Sequence, residues 1–102
     1  MDAMQVMSAL AQRTRLEVFR LLVDAQPDGM AAGDLATATG TAPNTMSAHL
    51  AILSRARIVT SEKTGRTVVY RAATGPVEEA SSFLARECAN RATGQPSGRV
   101  EP

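Results

Sequence analysis

The stretch TAPNTMSAHLAILSRA, residues 41–56, decides the fold because it predicts a helix with two different faces. Met46, Leu50 and Leu53 recur at i, i+4 and i+7, which is the spacing of a helix pressed against a core. We therefore predict an amphipathic helix from about Asn44 to Arg55, with its apolar stripe turned inward.

The start of this helix carries small polar side chains opposite the apolar stripe. Pro43 fits the first turn, where helix N–H groups lack an intrahelical partner, and Thr41 is expected to cap that turn. The outward positions are Asn44, Thr45, Ser47, Ala48 and His49. Groups of this size reach base edges when a helix enters a DNA major groove. A helix whose small polar residues merely face water has the same pattern, so the neighbouring sequence must decide.

Composition and charge narrow the choice. A chain of 102 residues has room for one domain, and 44% hydrophobic with 3% aromatic residues indicates a mainly helical protein. Its formal net charge is +1, but five cations and one carboxylate lie between Thr41 and Ala72, so that segment carries +4 and the remainder −3. A phosphate-binding surface would have this charge distribution. Because neither a membrane span nor a signal-peptide pattern is present, we expect a cytoplasmic protein.

Turn and strand signals surround the amphipathic helix. A shorter helix over about 31–39 ends just before it, and together they predict a helix-turn-helix. Beyond it, the β-branched runs Ile58 to Glu62 and Thr67 to Arg71 flank a turn at Thr64 and Gly65, which predicts a two-stranded hairpin.

Cations lie at both ends of this hairpin, with Arg57 at its base and Lys63 and Arg66 near its tip. They can lie along a phosphate backbone or in an adjacent minor groove. A hairpin that only covers the core, with a charged tip for solubility, is the alternative.

Two helices are predicted before this region, over about 2–11 and 13–25. The first has a face of Met4, Met7 and Leu10, to which Val6 adds, suited to an intermolecular contact or to packing on its own domain. In the second, the positions expected to face inward are Leu16, Phe19 and Leu22 or Val23, and those expected to face outward are Arg13, Arg15, Glu17 and Arg20.

The last predicted helix runs from Val77 to about Arg91 and makes about five helices in all. Its apolar stripe consists of Val77, Ala80, Ser81, Leu84 and Cys88. A terminal helix with such a stripe is a good dimerisation element. Residues 92–102 are rich in Gly, Pro and Ser and are expected to be a disordered tail, which leaves 1–91 as the folded domain.

The order helix, helix, helix-turn-helix, hairpin, helix resembles the ArsR/SmtB-type winged-helix repressors. The segments that carry the resemblance are ALAQRTRLEVFRLL, DLATATG, NTMSAHLAIL and GRTVVYR, and it covers about Met4 to Arg91. Its most specific positions are Thr45, Ser47, His49, Leu50, Gly65, Arg66, Tyr70 and Arg71. The resemblance implies a mainly helical winged helix-turn-helix with a small β-hairpin, paired as a homodimer through the first and last helices.

The resemblance also implies a function, which is to bind an inverted-repeat DNA operator and to repress transcription until an inducer releases the dimer. The DNA-binding residues would be Thr41, Asn44, Thr45, Ser47, Ala48, His49, Lys63 and Arg66. Of these, positions 44, 45, 47 and 48 would approach bases, His49 would touch phosphate or buttress the helix, and Lys63 and Arg66 would be wing contacts. Two recognition helices ~34 Å apart, one turn of DNA, would read a palindrome.

The inducer site departs from the family patterns. Members that sense soft metals carry a cysteine pair in the segment that here reads GMAAGDL, residues 29–35, which has no thiol. Zinc-binding members need His with Asp or Glu in the last helices, and the single histidine here is His49. No metal site is therefore assigned from these patterns.

The single cysteine, Cys88, excludes an intrachain disulfide. The resemblance implies trivalent arsenic (arsenite) or antimony (antimonite) bound by Cys88 from both subunits, since soft thiolates suit such ions. An oxidation-sensitive thiol and a small buried residue of the dimer stripe are the alternatives.

Three classes of function remain to be compared. A dimeric DNA-binding repressor explains the small polar face together with the basic hairpin. A winged-helix module that associates only with proteins would not need the basic segment. An enzyme is excluded, because the single histidine has no acid or nucleophile placed by motif and no Gly-rich phosphate loop follows a strand.

Overall fold

The computed structural model describes residues 2–94, which contain five helices and three strands. In chain order these are α1 (Ala3–Leu10), α2 (Arg13–Asp24), β1 (Met30–Ala31), α3 (Ala32–Thr39), α4 (Pro43–Arg55), β2 (Val59–Thr64), β3 (Thr67–Ala72) and α5 (Gly75–Gly94). The strands form one antiparallel sheet in the order β1-β3-β2. The predicted mainly helical architecture with a hairpin wing is confirmed. None of the described helices combines the length and apolarity needed to cross a membrane.

Helix α4 is fixed by its apolar stripe. Met46, Leu50 and Leu53 are all buried, as predicted from their spacing. They join one core with residues of α1, α2, α3, β2 and α5. Complete burial of a side chain of this size contributes about 1.5–3 kcal/mol, so the three side chains together set the orientation of α4 more firmly than any surface contact.

Helix α2 is rotated relative to the prediction. Its buried residues are Val18, Phe19 and Leu22, whereas Leu16, expected inside, is 39% exposed. The inward face therefore follows positions 15, 18, 19 and 22, and the prediction that Arg15 faces outward is wrong. Arg15 occupies the first position of this face because its side chain finds hydrogen-bond acceptors at the end of α1.

Helix α1 packs on the domain through only part of the predicted face, since Val6 and Leu10 pack on the core and Met4 does not. Asp2 caps it by accepting a hydrogen bond from the Gln5 amide (3.2 Å). Val6 and Ala9 are buried, whereas Met4 is 74% exposed. Because α1 packs against α2, α4 and α5, the smaller side chains occupy the packed face and Met4 lies outside it.

The wing is a tight antiparallel hairpin. Thr64 pairs with Thr67, which leaves Gly65 and Arg66 as a two-residue turn. Gly65 has a φ of 62°, which suits the first central position of a hairpin turn. The turn lies one residue later than predicted, because the first strand continues through Thr64.

A third strand, β1, was not predicted. Met30 pairs with Tyr70 of β3, so the segment before α3 closes the inner edge of the wing. The preceding Gly29 has a φ of 79°, and a Cβ built there would collide with the Tyr70 carbonyl oxygen. Glycine is therefore required at this position both for its backbone angle and for the close approach of β3.

The turn between α3 and α4 contains Gly40 in the left-handed region, with a φ of 64°. Thr41 follows it, but its hydroxyl bonds to that of Thr39 (2.8 Å) and does not cap α4. The N-cap is Ala42, without a side-chain hydrogen bond, and Pro43 is the first helical residue. The predicted Thr41 cap is wrong because Thr41 precedes the cap position by one residue.

Helix α5 begins at Gly75 and continues through Gly94, three residues past the expected boundary at Arg91. The prediction of a disordered tail from residue 92 is therefore wrong for 92–94, where the chain is helical. The rest of that tail, 95–102, lies outside the described residues.

Two glycine substitutions test the packing of the wing against α3. Gly29→Ala should lower the free energy of unfolding by more than about 1 kcal/mol, because the left-handed backbone and the Tyr70 carbonyl both oppose a Cβ. Gly33→Ala is the matched control: the residue is helical and no atom beyond its chain neighbours and its own helix backbone lies within 4 Å of the added Cβ, so a gain of about 0.5 kcal/mol is expected. Urea denaturation measures both, and equal effects would contradict the close approach of β3 to Gly29.

Candidate nucleic-acid interface

The outer face of α4 presents the small side chains that the sequence singled out. Asn44, Thr45, Ser47 and Ala48 are exposed. The buried stripe lies on the opposite side of the same two turns, so packing of the core holds these four residues outward. We name this surface, Asn44, Thr45, Ser47 and Ala48, the recognition face.

His49 lies at the edge of the recognition face and is half-buried. Its ring Nδ1 is 3.4 Å from Nη1 of Arg15. Burial, and then the positive charge of Arg15, lower the pKa of His49 from its ordinary value of 6.5. The lowered pKa favours the neutral ring at pH 7, and the contact with Arg15 joins α4 to α2.

The cations of the wing differ in what they contact. Arg71 donates to Glu62 (2.7 Å) and to the Pro27 carbonyl (2.9 Å), so its charge is paired within the fold. Lys63 and Arg66 are exposed and form no ion pair in the described part of the chain. The charge available to an external anion at the wing is that of Lys63 and Arg66.

Arg57 is separate from these two cations. It follows α4 with a φ of 65°, and the amides of Arg57 and Ile58 bond back to the carbonyls of Ser54 and Leu53, which closes the helix as a Schellman motif. It lines a groove of about 540 Å³ with residues at the starts of α1 and α5. At roughly 3.3 Å per residue, Lys63 lies about 20 Å along the strand from Arg57. The three cations expected at the base and tip of the hairpin do not form one cluster.

An apolar surface remains where α5 packs on α1. Met4, Phe83 and Leu84 are exposed, and Met4 and Phe83 line a shallow groove with Asp2 and Ala3. Ala80 is buried in the core, so the predicted stripe of α5 divides into a packed end and an exposed end.

Cys88 lies toward the exposed end of α5 and is a free, exposed thiol. Within residues 2–94, no three His, Cys, Asp or Glu side chains lie close enough together to hold a metal ion. Any thiolate site for a soft ion would therefore require a second Cys88 from another copy of the chain.

The contact of Arg15 with this region was not predicted from the sequence. Its side chain touches the end of α1 and His49, although an arginine at that position was expected in solvent. The available signal was its spacing, since positions 15, 18, 19 and 22 form one helical face.

Comparison with known proteins agrees with this geometry. A family model described as a helix-turn-helix domain matches residues 10–62. No curated protein sequence matches the chain. Among solved structures, an ArsR-like transcriptional regulator from Rhodococcus sp. RHA1 is 27% identical with a TM-score of 0.76, over 96% of this chain and 94% of that one.

Two further structures are similar. HlyU from Vibrio cholerae N16961 is 27% identical, with a TM-score of 0.67 over 82% of this chain and 88% of that one. Mb0332 from Mycobacterium bovis is a homodimeric winged helix-turn-helix DNA-binding domain and a possible ArsR-family transcriptional regulator. It is 29% identical, with a TM-score of 0.62 over 95% of this chain and 85% of the fragment.

The chain belongs to the helix-turn-helix domain family, and its fold is the ArsR-type winged helix-turn-helix. This confirms the family resemblance inferred from the sequence. Transcriptional regulators of this kind are not enzymes, which agrees with the exclusion of an enzyme.

Proposed function

We propose that this protein is a DNA-binding transcriptional repressor that binds an inverted-repeat operator as a homodimer. The observation that carries the proposal is the recognition face, whose four small side chains are held outward by the buried stripe of α4. Because these side chains are short and uncharged, the helix can approach base edges closely in a major groove.

The proposed contacts divide by chemistry. The recognition face reads bases, with Asn44 the strongest candidate because an amide can donate to and accept from one adenine edge. Thr41 is exposed only in part, before the first turn of α4, and would contact the sugar-phosphate backbone. Lys63 and Arg66, whose charges are unpaired within the fold, would neutralise phosphates beside the groove.

The proposed dimer forms through α1 and α5. Met4, Phe83 and Leu84 are large apolar side chains left exposed on these neighbouring helices, and burying them against a second copy is favourable. One similar structure, Mb0332, is described as homodimeric. A two-fold dimer would present two recognition faces to one side of a DNA duplex, as an inverted repeat requires.

The alternative is a winged-helix module that binds only proteins. Such a module has no use for exposed, unpaired cations at the wing tip, and this observation favours the DNA-binding function. The salt dependence of DNA affinity distinguishes the DNA-binding function from the protein-binding one, because phosphate contacts release counterions and weaken steeply as the salt concentration rises.

The inducer part of the proposal rests on Cys88. With arsenite, two Cys88 thiols from the two subunits would replace two hydroxyl groups on arsenic and release two water molecules; antimonite would react alike. With an oxidant such as diamide, the two thiols would form one disulfide while diamide takes up two electrons and two protons. Either bond would join the ends of the two α5 helices and change the spacing of the recognition faces.

Two substitutions separate base reading from phosphate binding. An operator is first selected by the wild-type protein from a random duplex pool, and affinities for it and for a random duplex are measured by fluorescence anisotropy over a range of salt. Asn44→Ala should lower the operator-to-random preference about 5- to 150-fold, the loss of one good base contact. Arg66→Ala should weaken both affinities and reduce the salt slope by about 1.

Arg91→Ala is the charge-matched control, because Arg91 pairs with Glu87 on α5, away from α4. It should leave both affinities and the slope unchanged. If Asn44→Ala and Arg66→Ala also changed neither quantity, this mode of docking would be wrong. Absent or salt-insensitive binding by the folded wild-type dimer would support the protein-binding alternative.

The dimer surface is tested with a charge placed on α5. Leu84→Glu should give a monomer in analytical ultracentrifugation and lower operator affinity about 100-fold or more, because two linked recognition faces gain from effective concentration. Leu16→Glu is the control, since Leu16 is exposed to nearly the same extent on α2 (39% against 42%). A dimer that survives Leu84→Glu but not Leu16→Glu would place the interface elsewhere.

The sensor is tested with Cys88→Ser. The reduced wild-type protein on its selected operator should be released by arsenite or by diamide, and the serine variant should bind equally well and ignore both. Release of both proteins alike would show that Cys88 is not the responding group. Wild-type binding that neither agent affects would exclude Cys88 as a sensor of them.

A further inference from the structure

The guanidinium of Arg15 is held at the end of α1 by two contacts. Its Nε donates to the Ala9 carbonyl (2.7 Å), and its Nη2 lies 3.5 Å from the Ser8 carbonyl. Carbonyls in the last turn of a helix lack intrahelical partners, and a cation is favoured there. The guanidinium is therefore anchored on α1 independently of what lies beyond it.

The remaining arm of this guanidinium faces the recognition helix. Nη1 lies 3.4 Å from Nδ1 of His49. An arginine can only donate hydrogen bonds, so Nδ1 of His49 must accept. An imidazole that accepts at Nδ1 is neutral and carries its hydrogen on Nε2. Arg15 thus selects one of the two tautomers of the ring.

We propose that Arg15 is a positioning residue for DNA binding, which holds His49 as a neutral ring with its hydrogen on Nε2, ready to donate to a backbone phosphate of DNA. The proposal rests on the proposed function for its DNA-binding step, but the state of the ring is a property of the free protein. It assigns His49 an uncharged contact beside the cationic contacts of Lys63 and Arg66.

The same contact joins the proposed dimer helix α1 to the recognition helix α4. Protonation of His49 would put a hydrogen on Nδ1 facing the guanidinium, so the link exists only with the neutral ring. Displacement of α1, to which Arg15 is anchored by the 2.7 Å hydrogen bond from its Nε to the Ala9 carbonyl, would remove the donor from His49. The orientation of the ring is therefore coupled to the position of α1.

Arg15 is the charged group that contacts the His49 ring in the described part of the chain. Among the elements packed on α4, α1 has no ionisable side chain between Ala3 and Leu10. The ionisable side chains of the other neighbouring elements are Asp34 on α3, Glu62 and Lys63 on β2 and, besides Arg15, Arg13, Glu17, Arg20 and Asp24 on α2. In the described residues, none of them forms a hydrogen bond or ion pair with His49. The charge that faces the ring is that of Arg15.

The single histidine makes the test direct, because imidazole NMR signals of the untagged protein come from His49 alone. In the free wild-type protein, the ring nitrogen shifts should report the Nε2–H tautomer and the ring should titrate below 6.5. Arg15→Ala should raise the pKa of His49 and populate both tautomers. The increase should be partial, because burial lowers the pKa more than Arg15 does. Arg20→Ala, which removes an exposed arginine of the same helix, should change neither quantity.

An Nδ1–H tautomer in the wild-type protein would overturn the proposal, whether or not Arg15→Ala folds. So would a folded Arg15→Ala variant with an unchanged tautomer and pKa, because Arg15 would then only cap α1.

The DNA-binding step is tested separately by anisotropy. His49→Gln retains a neutral donor and should bind a random duplex within about 3-fold of wild type, whereas His49→Phe should bind about 10-fold more weakly, the loss of one hydrogen bond to a charged group. In Arg15→Ala the ring protonates more readily, so affinity should rise more steeply than in wild type as pH falls from about 7.5 to about 6.

Equal DNA affinities of the His49→Gln and His49→Phe variants would show that His49 does not donate a hydrogen bond to DNA. A protein that binds no DNA at all would end the proposed function, while the NMR result would still decide how Arg15 sets the state of the ring.

Discussion

Burial of the apolar stripe of α4 is the constraint on which the rest of the structure depends. Met46, Leu50 and Leu53 are enclosed by the other elements, and together their burial contributes several kcal/mol, whereas a single exposed hydrogen bond contributes about 1 kcal/mol. The core therefore decides which side of the helix meets solvent. The recognition face needs no contacts of its own to be held outward, which leaves its small polar groups available for a partner.

Most of the fold could be predicted because periodic burial leaves a strong trace in the sequence. The stripe of α4 and the two strands of the wing follow directly from spacing and β-branched residues. What the sequence could not reveal depends on tertiary partners. Strand β1 has only two residues and exists because β3 lies beside it. Spacing places position 15 on the inward face of α2, but it does not show that the end of α1 offers carbonyls to an arginine there. Thr41 was misread by one position, since local capping signals do not specify which residue is the cap.

In the candidate site, too, the sequence predicted some features, whereas others depend on tertiary contacts. Composition identified a basic segment, but only contacts distinguish its members: Arg71 is paired with Glu62, whereas Lys63 and Arg66 are not. Exposure likewise separates the packed end of α5, at Ala80, from the apolar end that we assign to a second copy. Helix α1 forms part of this proposed dimer surface, and Arg15 of α2 contacts both α1 and His49 of the recognition helix. A change at the pairing helices thus has a short physical route to the DNA-binding surface.

The central claim is that the outer face of α4, held outward by the core, meets DNA. The most direct measurement is an amide NMR titration of the protein with its selected duplex. The largest shifts should fall on Asn44, Thr45, Ser47 and Ala48 and on the wing tip at Lys63 and Arg66, with α5 little changed. Shifts concentrated on α5, with the start of α4 unaffected, would contradict the account.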